Sequence, residues 1–236
     1  MEPTAHWTFE NNTDDVSGNG HDRNGGQVGT FEYADSDLQG NYAANFSGND
    51  YLRYSVDGGF MEVSFAEMTI AGWINPTDLT GIKTIFDEGG GVNGIAIRLN
   101  DNTLEAAVRN ASVQVNSNTL TFPDDGEWHH VAMVFDNGEL IIFLDGVAST
   151  PVTASYTAIG NHSGNGGLGY YDGGSGFGSG TGNYFIGLMD DFRYFRDKAL
   201  NPNQIFDLAR NDGDRFHLQD GYIQLPYQMG LIAPSR

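Results

Sequence analysis

The stretch Glu127-Trp128-His129-His130 places two histidines beside a carboxylate, and these are residue types that metal sites and acid–base pairs use. It leads into the run 131–135, "VAMVF", which is typical of a buried strand. Neighbouring residues of a strand face opposite ways, so the two imidazoles point apart and cannot share one metal ion. We therefore predict a structural role for this pair, in a strand that is covered on both faces.

Glu62 and Glu67 form a second candidate pair, because retaining glycosidases use two carboxylates about 5 Å apart on one face. Residues five apart on a regular strand face opposite ways unless a bulge intervenes. The spacing therefore argues against a catalytic pair, and we expect a protein without enzymatic activity.

Asp190 is a polar residue inside an apolar strand pattern. Strand alternation places it on the same face as four apolar side chains, those of Ile186, Leu188, Phe192 and Tyr194. A carboxylate among core positions is costly unless it is paired or hydrogen-bonded. We expect Asp190 to bind a metal ion, to accept hydrogen bonds, or to form a salt bridge with Arg193 or Arg196.

Two groups of residues suit carbohydrate, which needs aromatic faces for stacking and planar polar groups for its hydroxyls. One group lies in the glycine-rich segment 164–182, and the other is the block "SGNDY" at 47–51. The candidate carbohydrate-binding residues are Asn49, Asp50, Tyr51, Tyr170, Tyr171 and Phe177. The structural alternative is that the block forms a turn and that the aromatic residues of the segment cover an edge of the fold.

The pattern of the whole chain predicts an all-β protein. Short β-branched and aromatic runs recur between turn signals, and helical periodicity is almost absent. We expect roughly a dozen strands in two packed antiparallel sheets. Asn137-Gly138 is a hairpin signal between the strands 131–135 and 139–144. The other predicted strands are Ala43–Phe46, Tyr51–Tyr54, Met68–Ile74, Lys83–Asp87, Gly94–Leu99, Thr103–Arg109, Tyr184–Leu188 and Asp190–Phe195.

One short helix is predicted over Pro202–Arg210. Asn201 suits the N-cap, and Pro202 suits the first helical position because its missing N–H is not needed there.

Charge narrows the range of partners. Eleven basic and 31 acidic residues give a net charge of −20, which repels nucleic-acid phosphates and anionic lipid. No apolar run is long enough to span a membrane, and the N-terminal residues lack the pattern of a signal peptide. We expect neither a nucleic-acid partner nor membrane insertion. Since the chain has no cysteine, no disulfide contributes to its stability.

The character of the chain changes in the segment 214–236. Apolar and aromatic residues alternate there with polar residues and Pro226, which is a strand pattern; they are Ile223, Leu225, Tyr227, Met229 and Leu231. Proline confines such a strand to an edge or to an extended arm. We expect this segment to dock on a neighbouring copy or scaffold, giving a homo-oligomer, or to complete the chain's own sheet.

Five blocks occur in an order that identifies a family resemblance. They are "HWTFENNTDDVSGNG" (6–20), "NFSGNDYLRY" (45–54), "MTIAGWINP" (68–76), "DGEWHHVAMVFDNGELIIFLDG" (125–146) and "GLMDDFRYFRDKALNPNQI" (187–205). In these blocks the chain resembles the laminin-G-like branch of the concanavalin A-like lectin/glucanase superfamily. The resemblance implies a two-sheet jelly roll over residues 1–213, and it leaves the arm 214–236 outside the family pattern.

The same resemblance implies a structural Ca²⁺ held by the aspartate at Asp190 against the N-terminal segment. Asp15 and Asn12 are the matching N-terminal candidates, and oxygen ligands suit this ion. The alternative is an aspartate that pins the two ends of the domain together through hydrogen bonds.

These features favour a non-catalytic, lectin-like recognition or adhesion module that binds a glycan or cell-surface polysaccharide. Modules of this type occur on bacteriophage particles as capsid decorations or fibres, so we expect the protein on a virion or on another extracellular surface. The alternatives are a secreted bacterial carbohydrate-binding module of a larger enzyme or adhesin, and a purely structural protein. A glycoside hydrolase or lyase is disfavoured because it requires converging carboxylates.

Overall fold

Two antiparallel β-sheets form the framework of the computed structural model, which describes residues 1–22, 26–29, 32–38, 40–53, 60–162, 166–170, 176–178 and 183–211. The sheets are the two layers of a β-sandwich, and one helix packs on the outer side of one of them. The predicted all-β sandwich is confirmed. The predicted arm at 214–236 lies outside the described residues.

Seventeen strands and one helix are defined within the described ranges. The strands are β1 (Ala5–Trp7), β2 (Gln27–Val28), β3 (Glu32–Asp35), β4 (Tyr42–Ser47), β5 (Tyr51–Arg53), β6 (Glu67–Pro76), β7 (Ile82–Gly89), β8 (Gly94–Asn100), β9 (Thr103–Asn110), β10 (Val113–Asn116), β11 (Leu120–Thr121), β12 (His129–Asp136), β13 (Glu139–Leu144), β14 (Val147–Ala148), β15 (Val152–Thr153), β16 (Gly167–Leu168) and β17 (Ile186–Arg196). The helix is α1 (Pro202–Asn211). The strands that the sequence pattern does not predict are two to four residues long.

The strand order places β17 in the middle of one layer. Sheet 1 has nine strands in the order β14-β13-β12-β6-β17-β4-β3, with β1 paired to β17 and β15 paired to β13. Sheet 2 has eight strands in the order β10-β9-β8-β7-β16-β5-β2, with β11 paired to β9. Because β17 bonds to β1, β4 and β6, it joins the N-terminal segment to the centre of sheet 1.

Apolar side chains from both inner faces fill the space between the sheets. The largest fully buried ones include Trp7, Phe46, Phe86, Phe135 and Tyr194. A second, smaller cluster lies on the outer face of sheet 1, where Ile205 and Leu208 of α1 cover it. Met133 of β12 belongs to the inner core and Val134 belongs to the helix-covered cluster. The prediction that this strand is covered on both faces is therefore confirmed.

Local sequence signals give the predicted hairpin and the predicted helix start. Asn137 and Gly138 both have positive φ, 48° and 102°, as a tight two-residue hairpin loop requires. At the start of α1, the Gln204 N–H donates to Asn201 Oδ1 and the Asn201 N–H donates to Gln204 Oε1, each at 3.0 Å. This reciprocal arrangement satisfies backbone donors that the helix itself leaves free.

A β-bulge interrupts β17. Asp190 pairs with Trp73, and the register then shifts, so that Asp191 and Phe192 together lie opposite Gly72. Asp191 has a φ of 50°, which is the left-handed conformation often found in a bulged strand.

The predicted face of Asp190 is therefore wrong, because one extra residue reverses the alternation. Met189 points into the inner core before the bulge, and Phe192 and Tyr194 do so after it. Asp190 lies instead on the outer face of sheet 1, on the same side as Leu188. It is nevertheless only 1% exposed, so the prediction of a buried carboxylate is correct.

Gly72 is a position where sheet 1 has no room for a side chain. A Cβ built there would lie 2.4 Å from Cδ2 of the buried Phe192 ring. We expect Gly72→Ala to lower the free energy of unfolding by about 1–3 kcal/mol, because the ring must move within a close-packed core. Urea denaturation measures the change. Gly91→Ala is the control, since no atom lies within 4 Å of its Cβ position; equal midpoints for the two variants would contradict the prediction.

Candidate functional site

Three tyrosines meet on the outer face of sheet 2. Their ring centroids are separated by 4.4 Å between Tyr51 and Tyr170, 4.8 Å between Tyr170 and Tyr184, and 6.3 Å between Tyr51 and Tyr184. The rings therefore form a triangle rather than a linear stack, and all three side chains are half-buried. We call these three residues the tyrosine cluster. Tyr51 points outward because Leu52, its neighbour on β5, points into the core.

Arg53 borders the tyrosine cluster, because it lies two residues after Tyr51 on β5 and shares its face. Its Nη2 donates to the Tyr51 hydroxyl at 2.7 Å, and its Cζ lies 5.6 Å from the centroid of that ring. Its Nε is buried and has no hydrogen-bond acceptor. A guanidinium has five N–H donors, so most of the hydrogen-bonding capacity of Arg53 is unused within the described chain.

Phe177 lies on the same sheet face but has a different neighbour. The Cζ of Arg98 is 3.5 Å from its ring centroid, and the Nε of Arg98 also pairs with Glu105 at 2.7 Å. A Cβ at Gly176 would lie 2.2 Å from the carbonyl oxygen of Ala107, so this part of the glycine-rich segment packs directly on sheet 2. The structure thus places Phe177 in a contact that covers the sheet, outside the tyrosine cluster.

The "SGNDY" block forms the turn between β4 and β5. Asp50 is 1% exposed, and its carboxylate accepts hydrogen bonds from the N–H and the hydroxyl of Ser47, both at 2.7 Å. Asp50 therefore holds the turn, whereas Asn49 is exposed and Tyr51 belongs to the tyrosine cluster. The remaining candidate, Tyr171, lies outside the described residues.

The adjacent histidines face opposite ways, as strand alternation predicts. His129 lies between two carboxylates, with Nδ1 2.8 Å from Asp145 and Nε2 3.1 Å from Asp125. Burial lowers the pKa of His129, but these carboxylates outweigh burial and raise the pKa above its ordinary value. His130 packs edge-on against Trp73 with ring centroids 5.3 Å apart. Each histidine thus has a separate structural environment, and they do not form a common site.

Asp190 and Asp191 are adjacent carboxylates that are 1% and 2% exposed. An ion pair with an arginine was predicted for Asp190, but it is Asp191 that forms one, with Arg193 Nη2 at 2.8 Å. Asp191 also contacts His6 Nε2. Asp190 accepts hydrogen bonds from the Asp191 N–H at 2.7 Å and from the Ser36 hydroxyl at 3.3 Å. Burial raises the pKa of Asp190 to about 9, and the charge of Asp191 adds to this increase. Asp190 thus lacks a cation partner among its hydrogen-bonding neighbours.

The other two predicted calcium ligands are engaged in the N-terminal loop. Asp15 accepts hydrogen bonds from the backbone N–H groups of His6 and His21 at 2.9 and 3.0 Å, and Asn12 bonds within its own turn. In the parts of the chain that the structure describes, no three His, Asp or Glu side chains are grouped as a metal site. Asp190 is buried, and oxygens of Asp15 and Asn12 accept hydrogen bonds within the N-terminal loop. Calcium binding therefore stays a prediction.

A cleft of about 430 Å³ opens beside the hairpin that joins β7 to β8; it is lined by Gly90, Gly91, Val92, Asn93, Asn161 and His162. The Nε2 of His162 lies 3.0 Å from Glu88 Oε1. Burial raises the pKa of Glu88. The lining carries no phenyl or indole ring, so the cleft offers a sugar less stacking surface than the tyrosine cluster does.

Glu67, one of the two glutamates of the sequence pattern, accepts a hydrogen bond from Asn137 at 3.0 Å.

Two residues of this site escape the sequence pattern. The sequence pattern predicts Tyr184 only as a strand residue. Its contact with Tyr170 joins residues that are separated in sequence, so the pattern does not predict it. Arg53 could have been found, because its position two residues after Tyr51 predicts a shared strand face.

A family model of the concanavalin A-like lectin/glucanases superfamily, of the laminin G type, matches residues 46–206. Among solved structures, domain 4 of AbnA, an extracellular GH43 arabinanase from Geobacillus stearothermophilus solved with arabinotriose, is 25% identical over 88% of this chain and 98% of that domain, with a TM-score of 0.61. The botulinum neurotoxin serotype G binding domain is 15% identical over 88% of this chain and 50% of its own, with a TM-score of 0.65.

The binding domain of botulinum neurotoxin DC, solved in complex with SialylT, is 16% identical over 88% of this chain and 50% of its own, with a TM-score of 0.58. The chain thus spans about half the length of these toxin domains, and at such identities the likeness shows the fold alone. No helix in the described ranges has the length and apolar character needed to cross a membrane. Because the family model matches well over half of the chain, the protein belongs to the laminin-G-like branch of the concanavalin A-like lectin/glucanase superfamily.

Proposed function

We propose that this protein is a non-catalytic, lectin-like recognition module that binds a glycan at the tyrosine cluster. The observation that carries the proposal is the convergence of Tyr51, Tyr170 and Tyr184 on the outer face of sheet 2. Half-buried tyrosine rings provide apolar surface for the C–H faces of a sugar and hydroxyls for its polar edge. The amide of Asn49 is exposed in the adjoining turn and can both donate and accept hydrogen bonds.

Two similar structures support a glycan as the class of ligand. Domain 4 of the arabinanase was solved with arabinotriose, and the botulinum neurotoxin DC binding domain was solved with SialylT. Both proteins have the same sandwich architecture as this chain. Their ligands support recognition of a sugar here, and they do not identify which one.

We further propose that the module is displayed on an extracellular assembly, and that a virion is the first candidate. There it would serve as a capsid decoration or fibre protein that contacts cell-surface polysaccharide. The alternating apolar residues of 223–231 support this setting, since an extended apolar arm suits docking on a neighbouring copy or scaffold. The second candidate is a carbohydrate-binding module of a larger secreted enzyme or adhesin. The match to 98% of an arabinanase domain favours that reading.

We also propose that Ca²⁺ binds at Asp190 and stabilises the fold. A buried carboxylate that lacks a cation partner is the observation that supports it. When bound, the ion would supply the positive charge that keeps this group ionised. Asp190 would hold the ion, and Asp15 and Asn12 remain the predicted contributors from the N-terminal loop.

The tyrosine cluster is tested by Tyr184→Ala. We expect this change to weaken the binding of the cognate glycan by about tenfold, equivalent to ~1.4 kcal/mol, because it removes one of three rings. Isothermal titration against arabinotriose, sialylated oligosaccharides and cell-surface polysaccharides measures it. Tyr42→Ala is the matched control, since Tyr42 is a half-buried tyrosine of β4 in sheet 1. If Tyr184→Ala and Tyr42→Ala bind every glycan equally well, the site is wrongly placed.

Asp190 is tested through pH and calcium. Its pKa is about 9 in the folded protein and near the ordinary 3.8 in the unfolded chain, so the unfolded chain loses this proton first as pH rises. This group therefore lowers the free energy of unfolding between these pH values, by up to about 1.4 kcal/mol per pH unit. In EDTA, the free energy of unfolding should fall less for Asp190→Asn than for the parent when the pH rises from about 5 to about 8, and urea denaturation at the two pH values measures this.

Calcium should raise the melting temperature of the parent at pH near 8 and leave that of Asp190→Asn unchanged. Asp207→Asn is the control, because it removes the same charge from an exposed position of α1. A response of Asp190→Asn to calcium equal to that of the parent would show that the ion binds elsewhere.

The arm is tested in the full chain with two double variants. Each variant places two aspartates on one face of the predicted strand. We expect Leu225→Asp/Met229→Asp to convert an oligomer to a monomer, because these changes charge the apolar face. Gln224→Asp/Gln228→Asp adds the same charge to the polar face and should leave the oligomer intact. Size-exclusion chromatography with light scattering measures both. A parent protein that is itself monomeric would contradict docking between copies and favour the secreted-module alternative.

A further inference from the structure

Three arginines extend from the outer face of sheet 2. The chain has 11 basic residues and a net charge of −20, yet Arg53, Arg98 and Arg109 all extend from this one face. Their outward direction follows from strand alternation, since Leu52, Ile97 and Val108, their neighbours along β5, β8 and β9, belong to the inner core.

The three arginines differ in how they are paired. Arg98 forms an ion pair with Glu105 at 2.7 Å, and Arg109 contacts the side-chain oxygen of Gln114. Arg53 donates one hydrogen bond, to the Tyr51 hydroxyl, and no carboxylate of the described residues pairs with it. Arg53 is thus a guanidinium held beside aromatic rings, without an ion-pair partner among the residues that the structure describes.

We infer that the glycan bound at the tyrosine cluster is acidic, and that Arg53 binds its carboxylate; this inference rests on the function proposed above. A guanidinium is planar, and its parallel N–H groups match the two oxygens of a carboxylate, whereas a sugar hydroxyl engages one or two of them. A uronic or sialic acid residue combines such a carboxylate with C–H groups that pack on an aromatic ring. Both halves of this ligand therefore have a partner at Tyr51 and Arg53.

The charge of the whole protein makes this contact specific. A net charge of −20 repels acidic polymers at long range, so such a polymer is not held by general electrostatic attraction. Asp87 lies across Gly167 from Arg53 on the same face and is only 1% exposed, so it is not placed at the surface against the ligand. Binding must then depend on the short-range contact with Arg53.

Paired ligands that differ only in the carboxylate test the inference on the intact protein. The pairs are polygalacturonate, alginate and sialyllactose, each with its own carboxyl-reduced form. Isothermal titration or affinity electrophoresis gives the preference within each pair. The two polymer pairs test the carboxylate of a uronic acid, and the sialyllactose pair tests the carboxylate of a sialic acid.

We expect the parent to bind the acidic member of at least one pair about tenfold more tightly than its uncharged partner, a ratio typical of one charge-assisted contact. Arg53→Gln should abolish this preference, and Arg53→Lys should retain only part of it because an ammonium lacks the bidentate fork. Arg210→Gln removes the same charge from an exposed position of α1 and should change nothing.

Equal affinity for the acidic and uncharged members, or an unaltered preference in Arg53→Gln, overturns the inference and leaves the proposed function standing, provided that Tyr184→Ala still weakens binding. A folded parent protein that binds none of the six ligands and none of the neutral glycans overturns both. The comparison within each ligand pair requires no substitution, so it holds even if Arg53→Gln loses stability.

Discussion

The bulge at Asp191 is the constraint on which the rest of sheet 1 depends. β17 bonds to β1, β4 and β6, so one extra residue in it sets which side chains of the whole strand face the core. Phe192 enters the core against Gly72, where no other residue type leaves room for the ring. Asp190 remains on the opposite side, buried, with its pKa raised by that burial. Packing and the candidate cation site are thus two results of one local irregularity.

The candidate recognition surface on sheet 2 lies beside small residues of that sheet. Ala96 and Ala107 allow the backbone at Gly176 to lie directly on the sheet. Tyr170 lies within the glycine-rich segment and Tyr184 follows it, and both rings pack against Tyr51 of β5. The candidate site therefore combines one strand residue with one residue inside the glycine-rich segment and one that follows it, and binding residues are often carried by such connecting segments.

Sequence reasoning predicted the features that depend on near neighbours. The Asn137-Gly138 hairpin and the cap at Asn201 are local, and the two-sheet architecture follows from repeated strand patterns. It failed at Asp190, because simple alternation cannot detect one inserted residue, and it missed Tyr184, because only the folded chain brings it to Tyr170. The proposed glycan and ion are partners outside the chain, and its own residue pattern cannot identify them.

The position of β17 also governs when the domain can form during synthesis. Trp73 pairs with Asp190, more than 100 residues later in the chain, and the central strand of sheet 1 is the last of the described strands to leave the ribosome. Until it emerges, β4 and β6 each have an unpaired edge that could pair with another chain. Pairing over such distances in sequence is slow, since the entropy of closing a long loop is lost before contacts form. Assembly of this sandwich is therefore a late, single event, and the nascent polypeptide needs protection from aggregation until about residue 196 has emerged.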